Sequence, residues 1–533
     1  MRRIGAALSD RGARPRVVLA GIVGAALIAR LALIAFVVEF PGVADPNHYY
    51  NMALNVAAGR GFVIDYIWQY SRPPAAITHP EDHWMPLTSA IAALPLMLGG
   101  VGVDAALLGF AAIGALVPLI SYALARQIGL RPGTSLIAAA FSAALPEFVL
   151  NSVRTDTTIA AAALVGLCLL AFNRGLRSGR IAWYGLAGAA AGLTYLTRSD
   201  GALLLPMMFI GAVVDALAGR GDGRMRARAV GLIAALAAFV VTALPWLIRN
   251  LTTFGALGSA ETDDMFFFTD HLDHYAYGRA FTLSTLLEAQ TWGQIIGKRL
   301  FELAAGGQMM IATSDALAAP LIGGTILLLV RAARRDADAR AHLLGLAPAL
   351  ILALGVTVAY AVFIPYKAQA GSLKKGWLMA LPALLPIAAY ALQAVIADRR
   401  LRLGAAAVIA ALLSLNAFQL VRTDQRAALA YLADIERVAA AARALPDTNG
   451  DGEIILMTQD PYILAYVGLR TIMYPSEPLT VIHEVARRYG VDYLLMPAAR
   501  PALDPLYLRQ AAADSFVFIG DLPGTQYEFW RVQ

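Results

Sequence analysis

Long apolar runs recur along this chain, and they leave few folds open to it. They lie at about 17–38, 104–125, 134–150, 157–172, 181–197, 201–218, 229–248, 315–330, 343–364, 376–394 and 403–420. A helix needs about 20 apolar residues to cross a bilayer, and inside hydrocarbon only helices and closed barrels satisfy their own backbone polar groups. The 533 residues are 59% hydrophobic and only 15% charged, against about 25% charged in soluble domains. The expected fold is therefore an α-helical polytopic membrane protein with about eleven transmembrane helices. The first run exceeds the ~7–15 residues of a signal-peptide core and reads as an uncleaved anchor. The single cysteine, Cys168, lies inside an apolar run, so one chain has neither a disulfide framework nor a thiolate metal site.

Charge orients these spans. Arginine is dense in alternate connections, at 2–16, 126–131, 174–180, 220–228, 331–340 and 399–402. The positive-inside rule puts these segments and the N-terminus in the cytoplasm, and eleven spans then place the C-terminal segment outside. The net charge of +6 sits mostly in these short loops, so nucleic acid is not an expected partner. The apolar stretch 86–98 is short, proline-bounded and without a basic flank. It reads as a helix lying in the outer interface or re-entrant there, because a span would reverse every later loop. The localisation expected is the plasma membrane, multi-pass.

The ionisable residues outside the cytoplasmic loops gather on the other face. The outer loop 39–103 holds a polar island with Asp45, His48, Tyr49 and Tyr50, then His79, Glu81, Asp82, His83 and Trp84. Arg154 and Asp156 cap one short outer turn, and Arg198 and Asp200 cap another. Arg249 opens the outer loop 249–314, which carries Asp263, Asp264, His271 and His274. Lys367, Lys374 and Lys375 lie between the ninth and tenth spans. Charges in so apolar a chain are costly to keep without a use. A secondary transporter would place them near the midplane on broken helices within repeats, and no such repeat is visible. After residue 421 short strands alternate with helices, at 454–457, 471–474, 491–496, 516–519 and 527–532, with an amphipathic helix at 478–489. This pattern predicts a small C-terminal α/β domain with a largely parallel sheet. The division expected is 1–420 for the membrane domain and 421–533 for an extracytoplasmic domain.

Several of these motifs resemble a known family. An acidic residue after the first span, followed by Tyr49-Tyr50 and Gly59-Arg60-Gly61-Phe62, is similar to the opening loop of GT-C glycosyltransferases. The branch it resembles holds the protein O-mannosyltransferases and aminoarabinose transferases. Trp84-Met85-Pro86-Leu87, Arg154-Thr155-Asp156, Thr197-Arg198-Ser199-Asp200 and Trp246-Leu247-Ile248-Arg249-Asn250 follow in that branch's order. Where some relatives carry a Glu-Lys pair handling metal and donor phosphate, this chain has Trp84-Met85. The resemblance covers roughly 15–420. It implies transfer of a sugar from a polyprenyl-phosphate-linked donor to an acceptor hydroxyl outside the cytoplasm, the acceptor being a glycan, a lipid or a protein.

The residue chemistry is compatible with that reaction. An acceptor hydroxyl needs a positioned carboxylate to take its proton as it attacks. Asp45, beside the membrane exit, is the candidate base of a single inverting displacement, and Asp156 the second carboxylate. Arg198, Arg249, Lys374 and Lys375 are candidates for the donor phosphate. Tyr49, Tyr50 and Trp84 are candidates for stacking on sugar rings. His79, Glu81 and His83 have the ligand types of a metal site, so a divalent ion is the one cofactor considered. Plainer roles compete with each of these. Asp45 and Asp156 are also suited to capping helices, Arg198 and Arg249 to interfacial anchoring, and the histidines to a solvated loop. A lipid-linked glycan transporter or polymerase-like membrane protein is the alternative function.

Overall fold

The computed structural model describes residues 2–219, 225–262, 264–366, 371–450 and 452–533, with side chains from residue 15 onward. Asp263 and Lys367 lie outside the described residues. Among the described residues nine helices are long and apolar enough to cross a membrane: Pro15–Phe36, Gly102–Gln127, Thr157–Ser178, Ser199–Leu217, Met225–Phe254, Trp292–Ala333, Ala337–Phe363, Ser372–Val395 and Arg399–Arg443. The other two expected spans take shorter forms. The run at 134–150 is broken by Pro146 into helices Pro132–Ala144 and Pro146–Leu150, and the run at 181–197 is the 17-residue helix Ile181–Thr197. The stretch at 86–98 forms the 11-residue helix Leu87–Met97. At 1.5 Å per residue it reaches about 16 Å, roughly half the hydrocarbon thickness.

Two helices form the centre of the bundle. In Thr157–Ser178 and Ser372–Val395 the most apolar window is 78% buried by protein, against 28% in Pro15–Phe36 and Met225–Phe254. Small residues let the outer helices approach closely, since lipid is as apolar as leucine and close packing has to drive association. A Cβ on Gly188 would fall 1.9 Å from the Ala235 carbonyl oxygen, and one on Gly192 would lie 2.7 Å from Thr242. Helix Ile181–Thr197 thereby nests against Met225–Phe254. Both central helices begin at the same end of the bundle, next to the site described below.

A six-stranded sheet takes five of its strands from the C-terminal segment. Its strands β4 (Ile455–Thr458), β5 (Arg470–Met473), β6 (Tyr493–Met496), β7 (Phe516–Asp521) and β8 (Glu528–Val532) match the sequence pattern closely. β5, β4 and β6 run parallel, while β8 and β7 add antiparallel. One strand was not foreseen. The edge strand β2 (Tyr66–Ile67) comes from the loop 39–103 and pairs parallel with β5, Tyr66 opposite Thr471 and Ile67 opposite Ile472, so the order is β2-β5-β4-β6-β8-β7. Within the same loop β1 (Val63–Ile64) pairs antiparallel with β3 (His79–Pro80).

The helix Arg399–Arg443 joins membrane bundle and sheet without a break. Its 45 residues span about 67 Å, twice a bilayer core, so the compositional change after residue 421 falls inside one helix. Its far half packs Ile435, Val438, Ala439 and Ala442 against Leu456 and Tyr493 of the sheet. Midway, Asp424 pairs with Arg154 of the outer turn, and the Gln425 amide both accepts from Phe40 N and donates to Phe40 O.

Candidate active site

The two central helices bring the key charges together. Asp156 is the N-cap of Thr157–Ser178, accepting from Thr158 N at 2.9 Å and Thr158 Oγ1 at 2.6 Å. Lys375 lies in the first turn of Ser372–Val395. Its Nζ donates to Asp156 Oδ2 at 2.5 Å and to Asp45 Oδ2 at 2.8 Å. Asp156 is buried, with 3% of its side chain exposed, whereas Asp45 keeps 37% open. Burial alone would raise the Asp156 pKa, but Lys375 and the Thr158 hydrogen bonds hold it below the ordinary carboxylate range. Asp156 is thus both a cap and a member of the charge cluster. Asp45 opens the loop helix Asp45–Ala57 but makes no capping bond, since Ala44 holds the N-cap position. Ala44 sits at φ 61°, a costly conformation for a residue with a Cβ, immediately before Asp45.

Asp45 faces a cavity of about 630 Å³ that also meets Tyr49, Trp84, Arg198, Asp200, Tyr360 and Ser372. Arg198 holds Asp200 with a two-pronged fork, Nε to Oδ1 at 3.0 Å and Nη2 to Oδ2 at 2.7 Å, while Tyr360 OH donates to Oδ2 at 2.6 Å. Burial would lower the Arg198 pKa, but Asp200 more than offsets this, so the guanidinium stays charged. Tyr360 lies within an apolar span and gave no signal in sequence. The helix Ser372–Val395 begins after Gly371, whose φ of 87° suits glycine, and has no side-chain cap. Ser372 reaches the cavity, so the positive end of this helix lies at its wall.

Of the other sequence candidates, His83 lines the cavity, while Lys374, Arg249, Tyr50, His79 and Glu81 lie apart from it. Lys374 pairs with the buried Glu147 at 2.7 Å. Arg249 donates to Glu81 O at 2.5 Å and Phe62 O at 3.2 Å and stacks over Trp246, so its fork pins the first outer loop. Tyr50 packs against Tyr466. The set His79, Glu81 and His83 does not converge on a metal. Glu81 Oε1 accepts from His83 N and Trp84 N at 2.7 and 2.8 Å, and His79 Nδ1 lies 2.8 Å from Ile77 O. Among the described residues no group of three or more His, Cys, Asp or Glu is arranged to hold a metal ion.

Two buried glutamates organise the loops instead. Glu81 Oε2 faces His48 Nε2 at 3.4 Å, and His48 Nδ1 meets Tyr66 OH at 2.5 Å. Glu261 Oε2 lies 2.7 Å from His274 Nδ1 and 3.5 Å from His83 Nδ1. Burial, with Asp82 adjacent, pushes the Glu81 pKa up to about 8, and burial drives that of His48 well below its usual value. The loops and tail close over the cavity together. Asn51 Nδ2 donates to Tyr462 O at 2.9 Å, Ser476 N to Tyr275 O at 2.9 Å and Ala260 N to Asp82 O at 2.8 Å. Tyr462 and Met473 of the tail and Tyr275 of the long loop complete the wall.

Comparison with known proteins bears on the fold. The family model described as dolichyl-phosphate-mannose-protein mannosyltransferase matches residues 78–248. That segment contains Asp156 and Arg198 but neither Asp45 nor Lys375. No curated protein matches the chain by sequence. Among solved structures, ArnT from Cupriavidus metallidurans in the apo state superposes with a TM-score of 0.60 at 16% identity, over 98% of both chains. The same protein bound to undecaprenyl phosphate gives 0.58 at 16% identity, over 97% of each chain. The Archaeoglobus fulgidus oligosaccharyltransferase in complex with Zn and sulfate gives 0.54 at 14% identity, covering 95% of this chain and 72% of that one. The chain shares its fold with ArnT and with the oligosaccharyltransferase, a helical membrane bundle that here carries a small C-terminal sheet.

Proposed function

We propose that the protein transfers a sugar from a polyprenyl-phosphate-linked donor to an acceptor hydroxyl on the extracytoplasmic face of the plasma membrane. The observation that carries this reading is the half-open Asp45 carboxylate, fixed by the same ammonium that neutralises buried Asp156, in a cavity at the head of the bundle. Asp45 takes the acceptor proton as the hydroxyl attacks the anomeric carbon. The bond to the donor phosphate breaks on the opposite side, and configuration inverts. The uncapped helix N-terminus at Ser372, with Lys375 in its first turn, faces the departing phosphate with positive potential. ArnT, which shares the fold, is known bound to undecaprenyl phosphate, which supports a lipid phosphate of this kind as the leaving group. The arginine-rich loops at the opposite end of the bundle support a cytoplasmic position for that end.

Sugar transfer from a radiolabelled polyprenyl-phosphate sugar in membranes tests the proposal, comparing wild type with Asp45→Asn. The amide preserves shape and removes the base, so transfer drops by about 10²–10⁴-fold at normal expression. Full activity in the variant would take Asp45 out of the chemistry. No transfer by wild type across a panel of donors and acceptors would favour a lipid-linked glycan transporter.

A further inference from the structure

The cavity wall is divided by chemistry. Six of its rings form one continuous aromatic run contributed by the two outer loops: Tyr49, Trp84, Trp68, His83, His274 and His271. Tyr49 meets Trp84 at 5.3 Å between centroids, Trp84 meets Trp68 at 5.6 Å, and Trp68 meets His83 at 4.8 Å. His83 then meets His274 at 6.5 Å, and His274 meets His271 at 5.1 Å. Charge is sparse along the wall. Among its described residues the acidic and basic side chains, histidines aside, are Asp45, Asp200 and Arg198, and Arg198 is committed to Asp200. Lys375 stands behind the two carboxylates it bridges. His83 and His274 both face the buried carboxylate of Glu261, at 3.5 and 2.7 Å.

An acceptor bearing phosphate or carboxylate would need an arginine fork or a lysine cluster here, and the described wall offers neither outside the Arg198–Asp200 and Lys375 groups. Aromatic faces are negative and favour the weakly positive C–H faces of a sugar ring. A concave site of this volume, lined by rings with few polar groups, is of the size that takes a small organic ligand. We infer that the acceptor is an uncharged carbohydrate, whose ring lies on the Trp68–Trp84 wall while its hydroxyl is presented to Asp45. This rests on the transferase reading above and adds the acceptor class to it.

Saturation-transfer difference NMR on the purified full-length protein in detergent tests the inference without requiring turnover. The probes are a panel of neutral hexose and pentose disaccharides, and for each hexose the corresponding 6-phosphate. Neutral sugars bind, the 6-phosphates bind about tenfold or more weaker, Trp68→Ala loses about tenfold in affinity, and Trp68→Phe stays within about threefold of wild type. Equal or tighter binding of the phosphorylated sugars overturns the inference. So does unchanged affinity in Trp68→Ala, or absence of binding by every neutral sugar. Release of label from a polyprenyl-phosphate sugar is measured separately. Neutral-sugar binding without any donor cleavage would sink the transferase reading while leaving a carbohydrate site in place.

Discussion

Asp45 and Asp156, far apart in sequence, accept hydrogen bonds from the same Lys375 ammonium, at 2.8 and 2.5 Å. The shared cation offsets the repulsion between two carboxylates held side by side. It also fixes the exposed member of the pair against the buried one. Replacing Lys375 by methionine removes this and leaves two like charges facing each other. Sugar transfer is expected to fall by about 10²-fold or more, and the pH at which activity appears is expected to move upward as the pair retains a proton. A pH–rate profile of Lys375→Met that overlays wild type would contradict this arrangement.

Glu81 gives the first outer loop a pH dependence of opposite sign to the usual carboxylate. Its folded pKa is raised to about 8 by burial, above the value near 4.5 of an exposed glutamate. The folded loop therefore binds the proton more tightly than the unfolded chain. That contribution is complete below about pH 4.5, erodes as pH rises, and is lost above about 8. Hydrogen exchange of the backbone at 81–84 should speed up across this window beyond its intrinsic dependence on base. In Glu81→Gln, which still accepts from His83 N and Trp84 N, the excess should vanish.

The strand that the first loop lends to the tail is open to test. Ile67→Pro removes a backbone donor from β2, where it pairs with β5. The tail then loses its edge strand, and the loop keeps only side-chain ties such as the Tyr70 hydroxyl donating to Met473 O. Limited proteolysis should cut the variant faster in 68–78 than wild type. Equal cleavage rates would mean that the loop is held by its side chains alone.

Arg249 serves in the structure as a clamp on carbonyl oxygens, and the alternative is a phosphate ligand. Arg249→Lys keeps the charge and loses the fork that reaches Glu81 O and Phe62 O. A clamp role predicts a lower melting temperature with donor KM nearly unchanged at permissive temperature. A rise in donor KM with unaltered melting would return Arg249 to the phosphate.

Apolar runs, arginine-rich connections and the strand pattern after residue 421 were enough to give a helical membrane bundle with a small sheet, because span length and side-chain alternation are local properties. Chemistry was legible only residue by residue: Asp45, Asp156, Arg198 and Lys375 stood out because charge in an apolar chain is rare. Which of them meet was a matter of tertiary structure. Lys374 and Lys375 look equivalent in sequence, yet on a helix neighbouring positions point about 100° apart. One reaches Glu147 and the other the two aspartates. Packing likewise turned His79, Glu81 and His83 away from a common point, placed Tyr360 on Asp200 from an apolar span, and drew Tyr66–Ile67 into a sheet whose other strands lie some 400 residues later. Such long-range pairings depend on which surfaces the whole chain buries, and no local pattern encodes them.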